Sequence, residues 1–495
     1  MSLTAVLVVV VAAVLIGAFG IRVSRTTSDF YVASRTVSPL WNASAIGGEY
    51  LSAASFLGIA GLILSFGVDM LWLPVGWTGG YLVLLVLVSA PLRRSGAYTL
   101  PDFAEARLES MTVRRTASVL VVLIGWLYLM PQFQSAGLVL RTITGAPVWV
   151  GGLLVAVVVA VNVLSGGMRS ITFVQAFQYW LKLTALAVPL VFLLMAWHAD
   201  GAPGVSAADA ATWQVPLAGA KEYGLYSTYS LILATFLGTM GLPHVLVRFY
   251  TNPDGRAARR TTLVVLSLLG AFYLMPAMYG WLGRLYTPGL ARTDTVVLTL
   301  PAQMIGGTLG DLLTALVTAG AFAAFLSTSS GLTVSVAGVI AQDLLKGSVR
   351  SFRIATLMAV AVPLVLALWA RALPVADVVG LAFAVAASSF CPLLVLGIWW
   401  RRLTTTGALA GLFVGGGLAC AAVLATITGA AYDGFLKALL AQPAAWTVPI
   451  AFAVMVAVSF LTPHRVPPGV ARTMVRLHTP EDLDLDRGDW RPRSS

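Results

Sequence analysis

Apolar runs of about twenty residues, each long enough to cross a bilayer as a helix, recur from one end of this chain to the other. No other feature constrains the fold as strongly. Backbone in hydrocarbon must satisfy every N–H and C=O internally, which leaves helices or closed barrels. Runs of this length fit helices. Composition agrees: 58% of the 495 residues are hydrophobic and only 10% are charged, against roughly 25% in soluble domains. The chain reads as an all-α polytopic membrane protein. Its formal charge of +11 would point to nucleic acid in a soluble protein. Here basic loops that set topology account for it, and no nucleic-acid partner is expected.

Thirteen spans can be delimited, the first at 3–21 and the last at 446–462. The first has the length of a signal peptide but lacks a basic n-region and is followed by Arg22 and Arg25, so it is read as a retained helix. With the N-terminus outside, inside loops collect 24 of the 31 Lys and Arg residues, outside loops six, and Lys182 lies within a span. The positive-inside rule then predicts N-terminus out and C-terminus in. Twenty-seven Arg against four Lys suits a bacterial genome of biased codon use, and so the bacterial cytoplasmic (inner) membrane. The longest loop, 198–226, is external and too short for a domain. The tail 463–495, rich in Pro, Arg and Asp, is expected to be disordered. Cys391 and Cys420 lie inside apolar segments as packing residues, and the four histidines show no paired spacing, so no metal-ligand motif is legible.

Two spans are interrupted. Residues 45–61, AIGGEYLSAASFLGIAG, put Gly47, Gly48, Glu49, Ser52 and Ser55 inside an otherwise apolar helix that runs outward. Residues 236–244, FLGTMGLPH, interrupt a span five further on that runs inward. Breaks at matched positions in oppositely directed spans are what a five-plus-five inverted repeat requires, and secondary transporters use them to bind ions and solutes at mid-membrane. The alternative is that the glycines merely allow close helix packing. A third stretch, FAAFLSTSSGLTVSVAG at 322–338, sets Ala324, Ser327 and Thr328 at i, i+3 and i+4 on one helix face. Two hydroxyls and a nearby carbonyl form a neutral oxygen cluster that suits Na⁺ better than H⁺. The alternative is that Thr328 bonds back to the Ala324 carbonyl.

These residues resemble the sodium:solute symporter family. The likeness runs over most of 28–430 and is carried by DFYVASRTVSPLWNASAIGGEYLSAASFLG at 29–58, SGGMRSITFVQ at 165–175, GLPHVLVRFYT at 241–251 and FAAFLSTSSGLTVSVAGVIAQDLL at 322–345. GLPH followed by VRF, and GGM followed by TFVQ, are similar to the cation/acetate (monocarboxylate) branch. The resemblance implies a leucine-transporter-type core of two five-helix inverted repeats, within thirteen helices in all. An extra helix (1–22) would precede repeats at 41–200 and 227–402, with two further helices (403–462) and the cytoplasmic tail (463–495) after them. It also implies a sodium site made by the carbonyls of Gly48, Leu51 and Ala324 and the hydroxyls of Ser327 and Thr328. Two departures stand out: Gln175 occupies a position where many members have Asp, and Glu49 stands where the branch more often has Asp.

Buried charge costs roughly 2.5–3.5 kcal/mol at mid-membrane on insertion scales, so Glu49 and Lys182 are functional candidates. Glu49 is read as a field-setting or gating carboxylate of unknown partner. Lys182 is expected to lend positive potential to a carboxylate solute or to pair with Glu49; the alternative is a structural pairing or a snorkelling side chain. His244 is read as a hydrogen-bonded structural histidine, with pH coupling as the alternative. The solute cavity is expected between the breaks, at Tyr50, Ser52, Ser55, Thr239 and Gly241. The function expected is sodium-coupled symport of a small monocarboxylate, acetate- or pyruvate-like, into the cell by alternating access. Its partners would be the solute, sodium and lipid, without an organic cofactor or covalent chemistry; a small membrane partner is left open. The alternatives are a proton-coupled carrier of the same fold, with Glu49 as the proton site, and a solute sensor acting through a separate signalling protein.

Overall fold

The computed structural model describes residues 1–21, 37–217, 222–345, 347–369, 374–429, 432–481 and 483, without the side chains of 19–21, 166–170 and 349. Arg22, Arg25 and Arg35, and the whole 29–36 part of the first motif, therefore lie outside the described residues. Among the described residues the regular structure is helical throughout, with no strand. Eleven helices among the described residues are long and apolar enough to cross a membrane, and Ser2–Ala18 is a shorter apolar one. The chain is a multi-pass membrane protein.

One apolar run, Ala54–Arg94, has 41 residues. A straight helix of that length would measure about 60 Å, twice the roughly 30 Å of a hydrocarbon core. It is broken at Gly67, whose φ of 79° favours glycine, and by the 3₁₀ turn Gly67–Leu71. The segments on either side diverge: Ile59–Phe66 packs on Gly255–Tyr286, and Trp72–Val83 on Gly224–Thr239. The Val148–Ala199 helix contains two candidate spans, Val148–Ser165 and Ile171–Ala199.

Burial separates centre from periphery. In Val375–Trp399, 94% of the apolar window is buried, against 33% in Ala444–Leu461. The first therefore lies among helices and the second presents most of its surface outward. Gly307–Val339 is the other central element, packed on Val148–Ala199, Met111–Thr144 and Ser2–Ile21. At one end of the helices, Arg114 gathers Asp102 (2.8 Å), Glu105 (2.6 Å) and Asp343 (2.7 Å). Asp102 lies in Leu100–Leu108, outside the spans. Burial pushes its carboxyl up to about 6 against the pull of Arg114.

The tail departs from the disorder expected of it. Val470–His478 is a helix with Met474 and Leu477 buried, and it packs on Ser89–Arg94 and Leu100–Leu108. Glu481 pairs with Arg94 (3.3 Å) and accepts from the Gly255 amide (2.9 Å). Met474 and Leu477, spaced i, i+3, share the buried face of this short basic helix; composition averaged over 463–495 hid them. Residues 482 and 484–495 lie outside the description.

Candidate functional site

The first break follows Pro39–Tyr50. Leu51 leaves the helix at φ −74°, ψ 81°, and the helix resumes through a wide turn at Ala54–Gly58. The Ala53 amide freed by the break donates to Gln132 Oε1 (3.0 Å). Gly48 is required by packing: a Cβ there would lie 2.1 Å from the Gln175 carbonyl oxygen. The second break separates Gly224–Thr239 from Pro243–Val247. A hydrogen bond joins the breaks, with Tyr50 Oη 2.9 Å from Thr239 Oγ1. Thr239 donates to the Thr235 carbonyl (2.7 Å), so Tyr50 is the donor.

The residues expected to hold sodium do come together, and the side chain at their centre is Lys182. Its Nζ donates to the carbonyls of Gly48 and Leu51 (2.8 Å for Leu51) and to Ser327 Oγ (2.7 Å). Ser327 Oγ lies 2.6 Å from the Gly48 oxygen and 3.1 Å from the Ala324 oxygen. Thr328 turns elsewhere, donating to the Glu49 carbonyl (2.6 Å), and does not bond back to Ala324. The ammonium is completely buried. A sodium ion about 3 Å from it would meet a repulsion of roughly 5 kcal/mol even at an effective dielectric constant near 20. The oxygens present therefore do not fit sodium while Lys182 holds them.

Glu49 finds its partner in Arg248, one of the 24 basic residues counted to the inside loops. Arg248 is only 1% exposed and donates through Nε to Glu49 Oε2 (2.8 Å) and through Nη1 to Thr172 Oγ1 (2.8 Å). Its Nη2 donates to Gln175 Oε1, and Gln175 Nε2 donates to the Ser327 carbonyl (2.8 Å). One network thus ties the first break, the end of the second, Ile171–Ala199 and Gly307–Val339. Lys182 makes no hydrogen bond to Glu49. Removing Arg248 from the inside tally leaves the charge asymmetry intact.

Around the Tyr50–Thr239 contact lies an aromatic cage. Tyr50 stands edge-on to Tyr81 (centroids 4.9 Å), and Phe383 neighbours Tyr50 (6.2 Å), Trp77 (5.7 Å) and Tyr128 (5.9 Å). His244 stands edge-on to Tyr128 at 5.2 Å. Ser55 bonds Tyr273 (3.1 Å), Ser52 is fully buried, and at Gly241 a Cβ would meet the Ala386 carbonyl at 2.4 Å. Trp77 Nε1, Tyr81 Oη and both ring nitrogens of His244 are buried without a hydrogen-bond partner. His244 is therefore not the hydrogen-bonded histidine expected. The sequence reading missed Arg248, Trp77, Tyr81, Tyr128, Gln132, Tyr273 and Phe383. The aromatics come from several spans and look like packing residues in each.

Paired broken helices meeting around a buried polar site define a membrane solute carrier. A model of the sodium:solute symporter family matches residues 30–415, and the chain belongs to that family. It is 32% identical over 464 residues to a symporter of Bacillus subtilis, YwcA, covering 88% of this chain and 89% of that one. It is also 32% identical over 438 residues to the monocarboxylic acid transporter of Corynebacterium glutamicum, covering 80% and 78%. Among solved structures, a Na⁺-coupled sialic acid symporter in a substrate-bound outward-open state matches with a TM-score of 0.70 at 15% identity, over 93% of this chain and 97% of that one. The nucleobase-cation-symport-1 transporter Mhp1, in a closed conformation, matches at 0.60 and 14%, over 91% and 99%. Both share the leucine-transporter fold.

Proposed function

We propose that the protein is a secondary active symporter that brings a small monocarboxylate, acetate- or pyruvate-like, across the bacterial cytoplasmic membrane. The observation that carries this reading is the chemistry of the cage. Its unpartnered buried groups include a donor-only indole N–H, a phenol and an imidazole. Beside them, Glu49, Arg248 and Lys182 are buried with one negative and two positive charges. A monoanion with two acceptor oxygens satisfies such donors and neutralises the excess. The similarity to a monocarboxylic acid transporter supports the same reading.

The thirteen-span topology with N-terminus out and C-terminus in belongs to this proposal. It is supported by the arginine distribution and by the division of Ala54–Arg94 at Gly67. Sodium is the coupling ion that the family points to, and the oxygens of Gly48, Leu51, Ala324, Ser327 and Thr328 would hold it only with Lys182 withdrawn. One observation favours the second reading, a carrier of the same fold that does not use sodium: the ammonium of Lys182 on those oxygens.

Uptake of labelled acetate and pyruvate into proteoliposomes tests the function, with a neutral sugar as control. Saturable accumulation of at least one carboxylate is expected. If neither moves while the protein is folded, the substrate class is wrong.

A further inference from the structure

We propose that Lys182 is a tethered replacement for the coupling cation, so that this chain holds its first broken helix and binds its solute without sodium. The inference deepens the carrier reading above and rests on it.

Three observations carry it. The first is the number of donors. The Gly48 and Leu51 carbonyls only accept, so each takes an N–H from Lys182. Ser327 has a single hydroxyl proton, and both the Gly48 and Ala324 oxygens stand in reach of it. Giving that proton to either carbonyl makes Ser327 an acceptor toward Lys182, which lies 2.7 Å away. Three acceptors then match the three N–H bonds of an ammonium, and none is left over.

The second is what the contacts accomplish. A broken helix in a membrane exposes carbonyls that lipid cannot satisfy, and half-helix carbonyls in carriers of this type commonly find a cation. Here a side chain from Ile171–Ala199 reaches across to Gly48 and Leu51 on one element and Ser327 on another, joining three elements as a bound ion would.

The third is exclusion. Gln175, about two turns before Lys182, already donates to the Ser327 carbonyl and accepts from Arg248. Thr328 is committed to Glu49. Sodium could use the expected oxygens only if the ammonium withdrew, and one buried acceptor without a partner is Glu49 Oε1. A mobile ion can be exchanged for another; a tethered one cannot leave with the solute. Whatever ion accompanies the solute is therefore not held on these oxygens.

The test uses the purified full-length protein. Radiolabelled sodium binding and thermal stability are compared in sodium and choline chloride at equal ionic strength, alongside carboxylate uptake in proteoliposomes. For the wild type we expect no saturable sodium binding and no shift in melting temperature. Uptake should be equal within about twofold in the two salts, whereas ordinary coupling energies give about fivefold or more. In Lys182→Ala the oxygens are uncovered, and sodium should then raise the melting temperature by several degrees, because a ligand that binds only the folded state stabilises it. Saturable sodium binding by the wild type, or sodium-accelerated uptake, overturns the proposal. A folded Lys182→Ala that sodium does not stabilise overturns it too. Should Lys182→Ala fail to fold, wild-type binding decides alone. Should no carboxylate move, the carrier's substrate class fails, and the sodium-binding arm still judges Lys182.

Discussion

Replacing Arg248 by Met would leave Glu49 buried without its ion partner, and the size of the effect follows from the geometry. Both side chains are at most 2% exposed and meet at 2.8 Å. Breaking a buried pair from one side costs about 3–5 kcal/mol, chiefly the desolvation of the charge left behind. Arg248→Met also removes the hydrogen bonds from Arg248 to Thr172 and Gln175, each worth about 1 kcal/mol. Glu49→Gln should cost more than Arg248→Met, because it leaves two buried cations, Arg248 and Lys182, with no anion between them. The double variant removes both charges and should cost at least about 2 kcal/mol less than the sum of the singles, the mark of direct coupling. Reversible unfolding of the reconstituted protein, followed by tryptophan fluorescence in graded denaturing detergent, measures all three. The reasoning is refuted if the singles add, or if Arg248→Met stays within the roughly 0.5 kcal/mol of an ordinary surface substitution.

Gly331→Ala would place a Cβ 2.1 Å from the Glu49 carboxyl and should cost about 1–3 kcal/mol through overpacking, seen as a lower melting temperature and slower uptake. Trp77→Phe and His244→Leu each remove buried donors that no protein group uses. Each should raise the half-saturation concentration for the carboxylate about two- to tenfold, the worth of one hydrogen bond, with little change in melting temperature. Asp102 has its proton affinity raised from 3.8 to about 6 in the folded protein. The folded state therefore binds that proton more tightly than the unfolded one, and the associated stability, full below the unfolded value, is lost as pH rises through about 6. Asp102→Asn should flatten that part of the stability–pH profile, measured by thermal unfolding across the window.

Much of this was legible in the chain. Recurrent apolar runs required membrane helices, whatever their arrangement, because lipid offers the backbone no partner. The glycines and prolines of IGGEYLS and GTMGLPH marked where helices would open, because these residues alter local backbone preference without help from distant groups. Ser327 and Thr328 could be placed on one face from helical periodicity alone. Which atom would occupy the resulting oxygens could not. Lys182 and Ser327 are separated by 145 positions and Glu49 and Arg248 by 199, and nothing local in either stretch encodes the other. Arg248 read as a loop charge because it follows a break near the inner side; only the packing of Pro243–Val247 and the turn after it carries it inward. Trp77, Tyr81, Tyr128 and Phe383 looked like core residues in their own spans and became a cage only where those spans meet. Local sequence determined the helices and their breaks, since those depend on short-range sterics and on solvent. Tertiary structure decided the partners of the buried charges, since a charge in low dielectric must be met by whatever group the fold brings within reach.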